Sequence, residues 1–336
     1  MTLKVAVIGV GAMGANHARL YWELPGLEFV GIADENMDRA EAIASRYSTQ
    51  AFQDFRKLLD EKKPEAVTIA VPTAFHLDIA LEVIKRGIHV LIEKPISLSI
   101  EQAKQIIKVA KENNVKLMVG HVERFNPAIQ ALKCHIDEGS LGKVFQLEAR
   151  RQGPFPARIN DVGVVIDLAV HDVDVMHFLV GNNIIRVYAE TERQIHGMYE
   201  DLLVGTLRFS SGAIGTLLIN WLTPTKIREM TVVGEKGMFK ADYLTQDLFF
   251  FENSGAKGTD WDNLKVLRGV SEGQMVRYTI TKKEPLRSEQ EAFLAAVRGE
   301  IPVAVSGEEG LRALEIVQAI IESSKLNQPI CPMKSS

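Results

Sequence analysis

Cysteine is nearly missing from this chain. Its 336 residues include two, Cys134 and Cys331, whose separation matches neither a disulfide framework nor a metal-binding spacing. A reducing compartment, the cytoplasm, suits such a chain. No apolar run approaches the roughly 20 residues that a membrane span needs. The start, Val5-Ala6-Val7-Ile8, runs into a glycine turn without the cleavage pattern of a secretory signal. Repeats and low-complexity segments are absent too, which excludes solenoids and disordered tracts. Neither sign of charge dominates. A net charge of -4 argues against nucleic acid or an anionic membrane as the main partner and leaves small ligands. What remains is a globular composition, 46% hydrophobic and 24% charged, with length for two domains that each bury a core.

The first half alternates strands and helices. Lys4 to Ile8 reads as a buried strand, Gly9-Val10-Gly11-Ala12-Met13-Gly14 as a turn, and Ala15 to Glu23 as a helix. This is G-x-G-x-x-G in the context its chemistry requires. Gly9 makes the tight turn, Gly11 lets the backbone approach a pyrophosphate, and Gly14 allows close helix–strand packing. The helix N-terminus supplies free N–H groups and a positive dipole end for the phosphates, and Ala12 and Met13 within the turn are cofactor-binding candidates with the glycines. A second strand, Phe29 to Ala33, ends in Asp34, about 20 residues beyond Gly14, where an acidic group accepts from an adenosine ribose and repels a 2′-phosphate. That favours NAD over NADP. The competing reading of Asp34 is an N-cap for the helix Met37 to Tyr47.

Further strands at Ala66 to Val71, Ile88 to Ile92 and Lys116 to Val119 alternate with helices at Leu77 to Arg86 and from Ser99 to Glu112, the latter opened by Ser99 with Gln102. The rhythm predicts a doubly wound parallel sheet over residues 1–122. Ligands of such sheets lie beyond the strands' carboxyl ends. Pro72, Thr73 and His76 follow one such end and Glu93-Lys94-Pro95 another. His76 reads either as a contact on the nicotinamide side of the cofactor or as a plain helix-start histidine without a ligand.

From residue 123 the rhythm changes. After a helix from Ala128 to Glu138 come alternating segments at Val144 to Arg151, Ile185 to Ile195, Leu202 to Phe209, Ala213 to Leu222 and Glu229 to Gly234, the mark of a largely antiparallel sheet with helices on one face. The open face predicts a homo-oligomer, a dimer or tetramer, built on that sheet. Between two strands, residues from about Val165 to Leu179 read as a helix. There Asp167 lies about 40° and Asp174 about 60° from His171, so all three can share a direction. A carboxylate one turn from an imidazole can orient it and stabilise its protonated form, as a general base for hydroxyl oxidation requires. An internal hydrogen bond in a core helix is the competing reading. A metal site is disfavoured because His177 lies about 120° around from His171. Asp172 points about 100° away, toward solvent.

Taken together, Gly9-x-Gly11-x-x-Gly14-x-x-His17, Glu93-Lys94-Pro95 and Asp167-x-x-x-His171 resemble the glucose–fructose oxidoreductase/inositol dehydrogenase/MocA family over nearly the whole chain. The resemblance implies a Rossmann domain with bound NAD, contacted by Glu93 and Lys94, and a catalytic group of Lys94, Asp167 and His171. It implies a substrate and oligomerisation domain over 123–336, an α+β domain with an open-faced sheet. It also implies returning helices within about 288–325 that pack back between the domains. These match Ser288 to Arg298 and Ser306 to Lys325, each opening with a capping-box pattern, Ser288/Glu291 and Ser306/Glu309. The stretches around His121, Arg124, Arg150, Arg151 and Arg158 resemble family members acting on UDP-N-acetylhexosamines, which implies oxidation of UDP-N-acetylglucosamine to its 3-keto form. Arg124, Arg150 and Arg158 would bind the diphosphate, since a guanidinium meets anionic oxygens bidentately, and His121 the sugar. The competing reading is that Arg150 and Arg151 alternate on an edge of the sheet, where at least one is solvated. His121 and Glu123 depart from the family's pattern. An inositol or free-sugar dehydrogenase is the alternative enzyme, and a non-catalytic NAD-binding regulator the alternative of another class.

Overall fold

The computed structural model describes residues 2–156, 162–181, 183–253 and 272–332. It contains two compact units, one of Met1–Val122 with Glu284–Leu314 and one of Glu123–Lys283 with Glu315–Ser336. Among the described residues no helix is long and apolar enough to cross a membrane.

The first unit holds β1 (Leu3–Ile8), α1 (Ala12–Glu23), β2 (Leu27–Ala33), α2 (Met37–Arg46), β3 (Ala51–Phe52), α3 (Phe55–Lys62), β4 (Ala66–Ile69), α4 (His76–Lys85), β5 (His89–Glu93), α5 (Ile100–Glu112) and β6 (Leu117–Gly120). Its six strands are all parallel, in the order β3-β2-β1-β4-β5-β6. Val5, Val7, Val67, Ile69, Val90, Ile92 and Val119 are sealed from solvent, as in strands covered on both faces. The order reverses between β1 and β4, the switch point where such sheets bind ligands. Two elements had no clear periodic signal: β3 is only two residues long, and α3 opens on Asp54, whose side chain accepts from Arg56 N. β4 ends at Ile69, short of the expected Val71, as the chain turns into Pro72.

Two later helices differ in how they start. Helix Pro285–Val297 begins before the expected Ser288, because Pro285 has the fixed φ and missing N–H that suit a first helical position. Ser288 Oγ then donates to Glu284 O inside the helix at 3.4 Å, and no capping box forms there. Helix Gly307–Leu326 does open with one: Ser306 N donates to Glu309 Oε2 at 2.8 Å and Glu309 N to Ser306 Oγ at 3.3 Å.

The second unit holds α6 (Pro127–Asp137), β7 (Val144–Gln152), α7 (Val170–Val180), β8 (Ile184–Glu192), β9 (Leu202–Phe209), β10 (Ile214–Asn220), β11 (Ile227–Gly234), β12 (Gly237–Asp242), β13 (Asp247–Asn253) and β14 (Glu272–Tyr278). The eight strands are ordered β14-β13-β12-β11-β7-β10-β9-β8, antiparallel except for the pair β7 and β10. Leu147, Ala149, Leu203, Leu207, Leu217, Met230, Val232 and Phe239 are buried on the face met by α6 and α7. Tyr188, Val204, Ile214, Leu218 and Met238 alternate with them onto the other face and keep part of their surface in solvent. β8 stops before the expected Ile195 because the Asp201 carboxylate gathers the N–H groups of Gln194, Ile195 and His196 at 3.0, 2.6 and 2.8 Å. β10 stops at Asn220, whose side chain accepts from Leu222 N and Thr223 N and turns the chain.

Candidate active site

In the first unit the glycine turn is as tight as its sequence requires. Gly9 has φ +85, and a β-carbon on it would lie 2.6 Å from Val71 Cγ1 and 2.8 Å from the Ala70 carbonyl. A β-carbon on Gly14 would fall 1.8 Å from Gly9 O. Beside Gly11, by contrast, the nearest atom to an added β-carbon is Arg39 Nη1 at 4.0 Å. Gly11 caps α1 without a side-chain bond, no acidic residue occupies the first turn, and Ala12 and Met13 are exposed. These residues fit a dinucleotide's pyrophosphate: the first N–H groups of α1 and its positive dipole end are available to an anion.

Asp34, 8% exposed, does not cap α2. Asn36 does, accepting from Arg39 N. Asp34 instead accepts from Val10 N at 2.8 Å and Asn36 N at 3.0 Å, bracing the glycine turn. Arg39 Nη1 stands 3.8 Å from its carboxylate, so an acid and a base share the place where a ribose and its 2′ substituent would be read.

Glu93-Lys94-Pro95 follows β5, with a cis peptide between Lys94 and Pro95. Lys94 is half-buried and Glu93 buried. Glu93 Oε1 is 2.8 Å from His17 Nε2, and its Oε2 accepts from Lys94 N at 3.2 Å. Burial, the largest influence on Glu93, opposes its ionisation. The hydrogen bond from His17 and the Lys94 ammonium outweigh it and hold the carboxyl below its usual range. His76 is 1% exposed at the start of α4. Its Nδ1 faces Pro95 O and its Nε2 faces Val71 O, both at 3.0 Å. Burial lowers its pKa despite those carbonyls. Both ring nitrogens face main-chain oxygens: the neutral ring donates to one of the two carbonyls and packs against the other, and neither nitrogen is turned to a nicotinamide. Pro72 is exposed and Thr73 half-exposed beside it, whereas His121, 1% exposed, is part of the core.

In the second unit Asp167 stands on a π-helical turn, Val165–Ala169, that leads into α7 with His171. The expected uniform α-helix is thus widened at its head, and the angle between the two side chains differs from 3.6-residue spacing. Such turns recur at functional sites. Glu200 caps this head: its carbonyl accepts from Val164 N at 3.0 Å and its carboxylate from Val165 N at 3.2 Å. Between Gly163 and Met176 only Ile166, Asp167 and His171 keep partial exposure. The stretch therefore presents one carboxylate and one imidazole to solvent.

The neighbouring carboxylates turn inward instead. Asp172, expected in solvent, is 1% exposed and grips Arg151 through Nε at 2.8 Å and Nη2 at 3.0 Å. Arg151 also donates to Glu123 at 2.7 Å. Burial works against the charge on Arg151, but Asp172 and Glu123 outweigh it and raise its pKa, while burial pulls Asp172 upward. The bidentate geometry marks an ionised pair. Asp174 does not join Asp167 and His171: it takes a fork from Arg124, at 2.7 and 2.6 Å, both residues buried. Arg124 is thereby engaged in the core. Arg150 lies on the sheet's other face, its half-exposed side chain 3.3 Å from Glu229. Arg158 lies outside the described residues.

One arginine the sequence did not single out is Arg228. It pairs in register with Arg151, hence on the same face, and donates to Gln152 O at 2.8 Å. Burial and then the charge of Arg151 lower its pKa, against Asp172, Glu123 and Asp167. Its signal was only its alternation in β11, indistinguishable by sequence from a solvated edge residue. The partners of His17, Glu93 and Gln290, lie too far apart in sequence for any local pattern to join them.

Comparison with known proteins finds two family models. A family model described as "oxidoreductase family, NAD-binding Rossmann fold" matches residues 3–121, and one described as "oxidoreductase family, C-terminal alpha/beta domain" matches 133–331. The UDP-N-acetylglucosamine 3-dehydrogenase of Acidithiobacillus ferrooxidans is 30% identical over 93% of this chain and 94% of its own. A solved structure of that enzyme has a TM-score of 0.86, at 28% identity over 97% of this chain and 98% of the other. The scyllo-inositol 2-dehydrogenase (NAD(+)) of Bacillus subtilis is 29% identical over 77% of this chain and 79% of its own.

Proposed function

The chain belongs to this oxidoreductase family, the Gfo/Idh/MocA family, and acts on CH–OH groups; on that premise we propose that it oxidises the C3 hydroxyl of UDP-N-acetylglucosamine, with NAD as acceptor. The observation that carries the reading is the pair Asp167 and His171, left partly exposed where the residues around them are buried. Bound NAD supplies the hydride acceptor. His171 takes the hydroxyl proton as the C–H hydride departs, leaving a ketone and an imidazolium. Asp167 stabilises that imidazolium, and the Lys94 ammonium stabilises negative charge growing on the oxygen. With Arg124 held by Asp174 and Arg150 on the opposite face, Arg228, half-buried on the same face as Arg151, is the arginine assigned to an anionic group of the substrate. Intact Lys94, Asp167 and His171 speak against a non-catalytic regulator.

Support for the sugar nucleotide comes from the relative that is 30% identical over nearly the full length of both chains. The inositol dehydrogenase at 29% supports the second reading. NADH absorbance with UDP-N-acetylglucosamine, inositols and free sugars separates them: turnover of an inositol but not of the sugar nucleotide would overturn the first. His171→Ala is expected to lower kcat at least about 100-fold, and unchanged turnover would remove His171 as the base. Asp34 supports NAD over NADP, and Arg39 beside it makes that preference one to measure, by comparing the two dissociation constants. The half-exposed apolar side chains of the open face, Tyr188, Val204 and Ile214 among them, support a homo-oligomer formed through that sheet. A monomer mass by size exclusion with light scattering would overturn it.

A further inference from the structure

We infer that Lys94 is positioned by a clamp of two buried histidines, His17 and His76, which fix the residues on either side of it. On one side the chain of bonds begins at Gln290. Its amide nitrogen lies 2.8 Å from His17 Nδ1 and 3.3 Å from His17 O, two acceptors that an amide NH2 can serve together and an amide oxygen cannot. His17 Nδ1 therefore accepts, and its proton resides on Nε2. That N–H donates to Glu93 Oε1 at 2.8 Å, which leaves Oε2 to take the N–H of Lys94 at 3.2 Å. Both nitrogens of His17 are used, so the buried cluster of His17, Glu93 and Glu289 offers no imidazole lone pair to a cation. The Glu93 side chain packs against Gly120 of the neighbouring strand, where a β-carbon would stand 3.3 Å from both Glu93 Cα and its carboxylate.

On the other side His76 holds Pro95. Its buried ring is wedged between Pro95 O and Val71 O at 3.0 Å from each; the single N–H of the neutral ring donates to one of them, and the ring packs the turn after β5 against the end of β4. Lys94 thus leaves a backbone gripped before and after it by groups that are almost wholly buried: His17 0%, Glu93 7%, His76 1% and Gln290 0% exposed. A lysine's long, flexible stem cannot place its ammonium unless its base is fixed. A misplacement on the order of 1 Å can lower a rate about 100-fold. The network is therefore a positioning device for Lys94, and it rests on the catalytic role proposed for that residue.

Glu93→Gln tests it. The glutamine keeps the size and one acceptor for His17 but turns an NH2 toward the N–H of Lys94. The expected result is a kcat lower by about tenfold to a hundredfold, with the thermal midpoint nearly unchanged. Amide hydrogen exchange should rise in the segment around Lys94 and not across the rest of the sheet. His17→Gln, which can still donate to Glu93, should keep most of the turnover, whereas His17→Leu should lose it. Unchanged kcat and exchange in Glu93→Gln would overturn the clamp. So would a loss of activity that comes with faster exchange throughout the unit, since that marks a general core role. If the unaltered protein oxidises none of the substrates offered, the functional reading fails, while local exchange in Glu93→Gln still decides the clamp.

Discussion

Gly14 and Gly9 meet so closely that the hydrogen on Gly14 is the largest substituent the turn admits: the next atom would stand 1.8 Å from Gly9 O. Gly14→Ala must push α1 away from β1. It is expected to destabilise the protein by about 1–3 kcal/mol and to weaken NAD binding, as read by denaturant unfolding and by titration with the cofactor. Gly11, open on its outer side, should tolerate alanine with less loss of stability than of affinity. The arginines teach the opposite lesson. Glu123-Arg124 and Arg150-Arg151 look like anion-binding sequence, yet Arg124 and Arg151 are held by Asp174 and Asp172 inside the second unit. Nothing local distinguishes an arginine aimed at a ligand from one aimed at a buried carboxylate many residues away. Arg151→Leu leaves Asp172 without its principal partner and should destabilise by about 3–5 kcal/mol. The double change with Asp172→Leu should recover much of that, because removing both charges avoids a buried unpaired one. Unfolding midpoints of the three variants check it.

At the scale of elements, termini were legible where the cap is written in adjacent residues and obscure where another signal competes. Ser306 and Glu309 bond reciprocally, but Ser288 lies inside a helix that Pro285 had already started. Ser306→Ala should therefore lower stability by about 1 kcal/mol, and Ser288→Ala should leave it nearly unchanged. A comparable loss in both, measured by thermal unfolding, would contradict the observed starts. The same competition ends β8: alternation continues in the sequence past Glu192, but Asp201 captures the next backbone N–H groups. The π-helical turn carrying Asp167 follows from packing around Glu200 and Gly163, where a β-carbon would meet the Glu200 carboxylate at 2.2 Å. Periodicity reads such a segment as ordinary helix.

For the molecule as a whole, buried titratable groups give stability a direction with pH. Burial lowers the pKa of His76 and, together with Lys116, that of His89 below the ordinary 6.5. Just below that value the unfolded chain binds protons that the folded chain does not, so stability falls as pH drops from about 6.5 toward the folded pKa values, and their contribution is complete above it. Glu93, held below its ordinary 4.5, adds a second loss in more acidic solution. Chemical unfolding across this range should show the decline, and His89→Gln should flatten its upper part. The parallel sheet, the glycine turn and the candidate pair at the head of α7 were legible because each is a short-range pattern: apolar runs, fixed glycine spacing, and a carboxylate four residues before an imidazole. Backbone sterics and side-chain periodicity act between near neighbours, so those elements and the chemical groups they carry follow from the order of residues alone. Which charges neutralise one another is settled by the folded chain. It joined Arg124 to Asp174, Arg151 to Asp172, and His17 to both Glu93 and Gln290. A buried charge or donor must find its partner wherever the fold brings one, and that distance along the chain leaves no local trace.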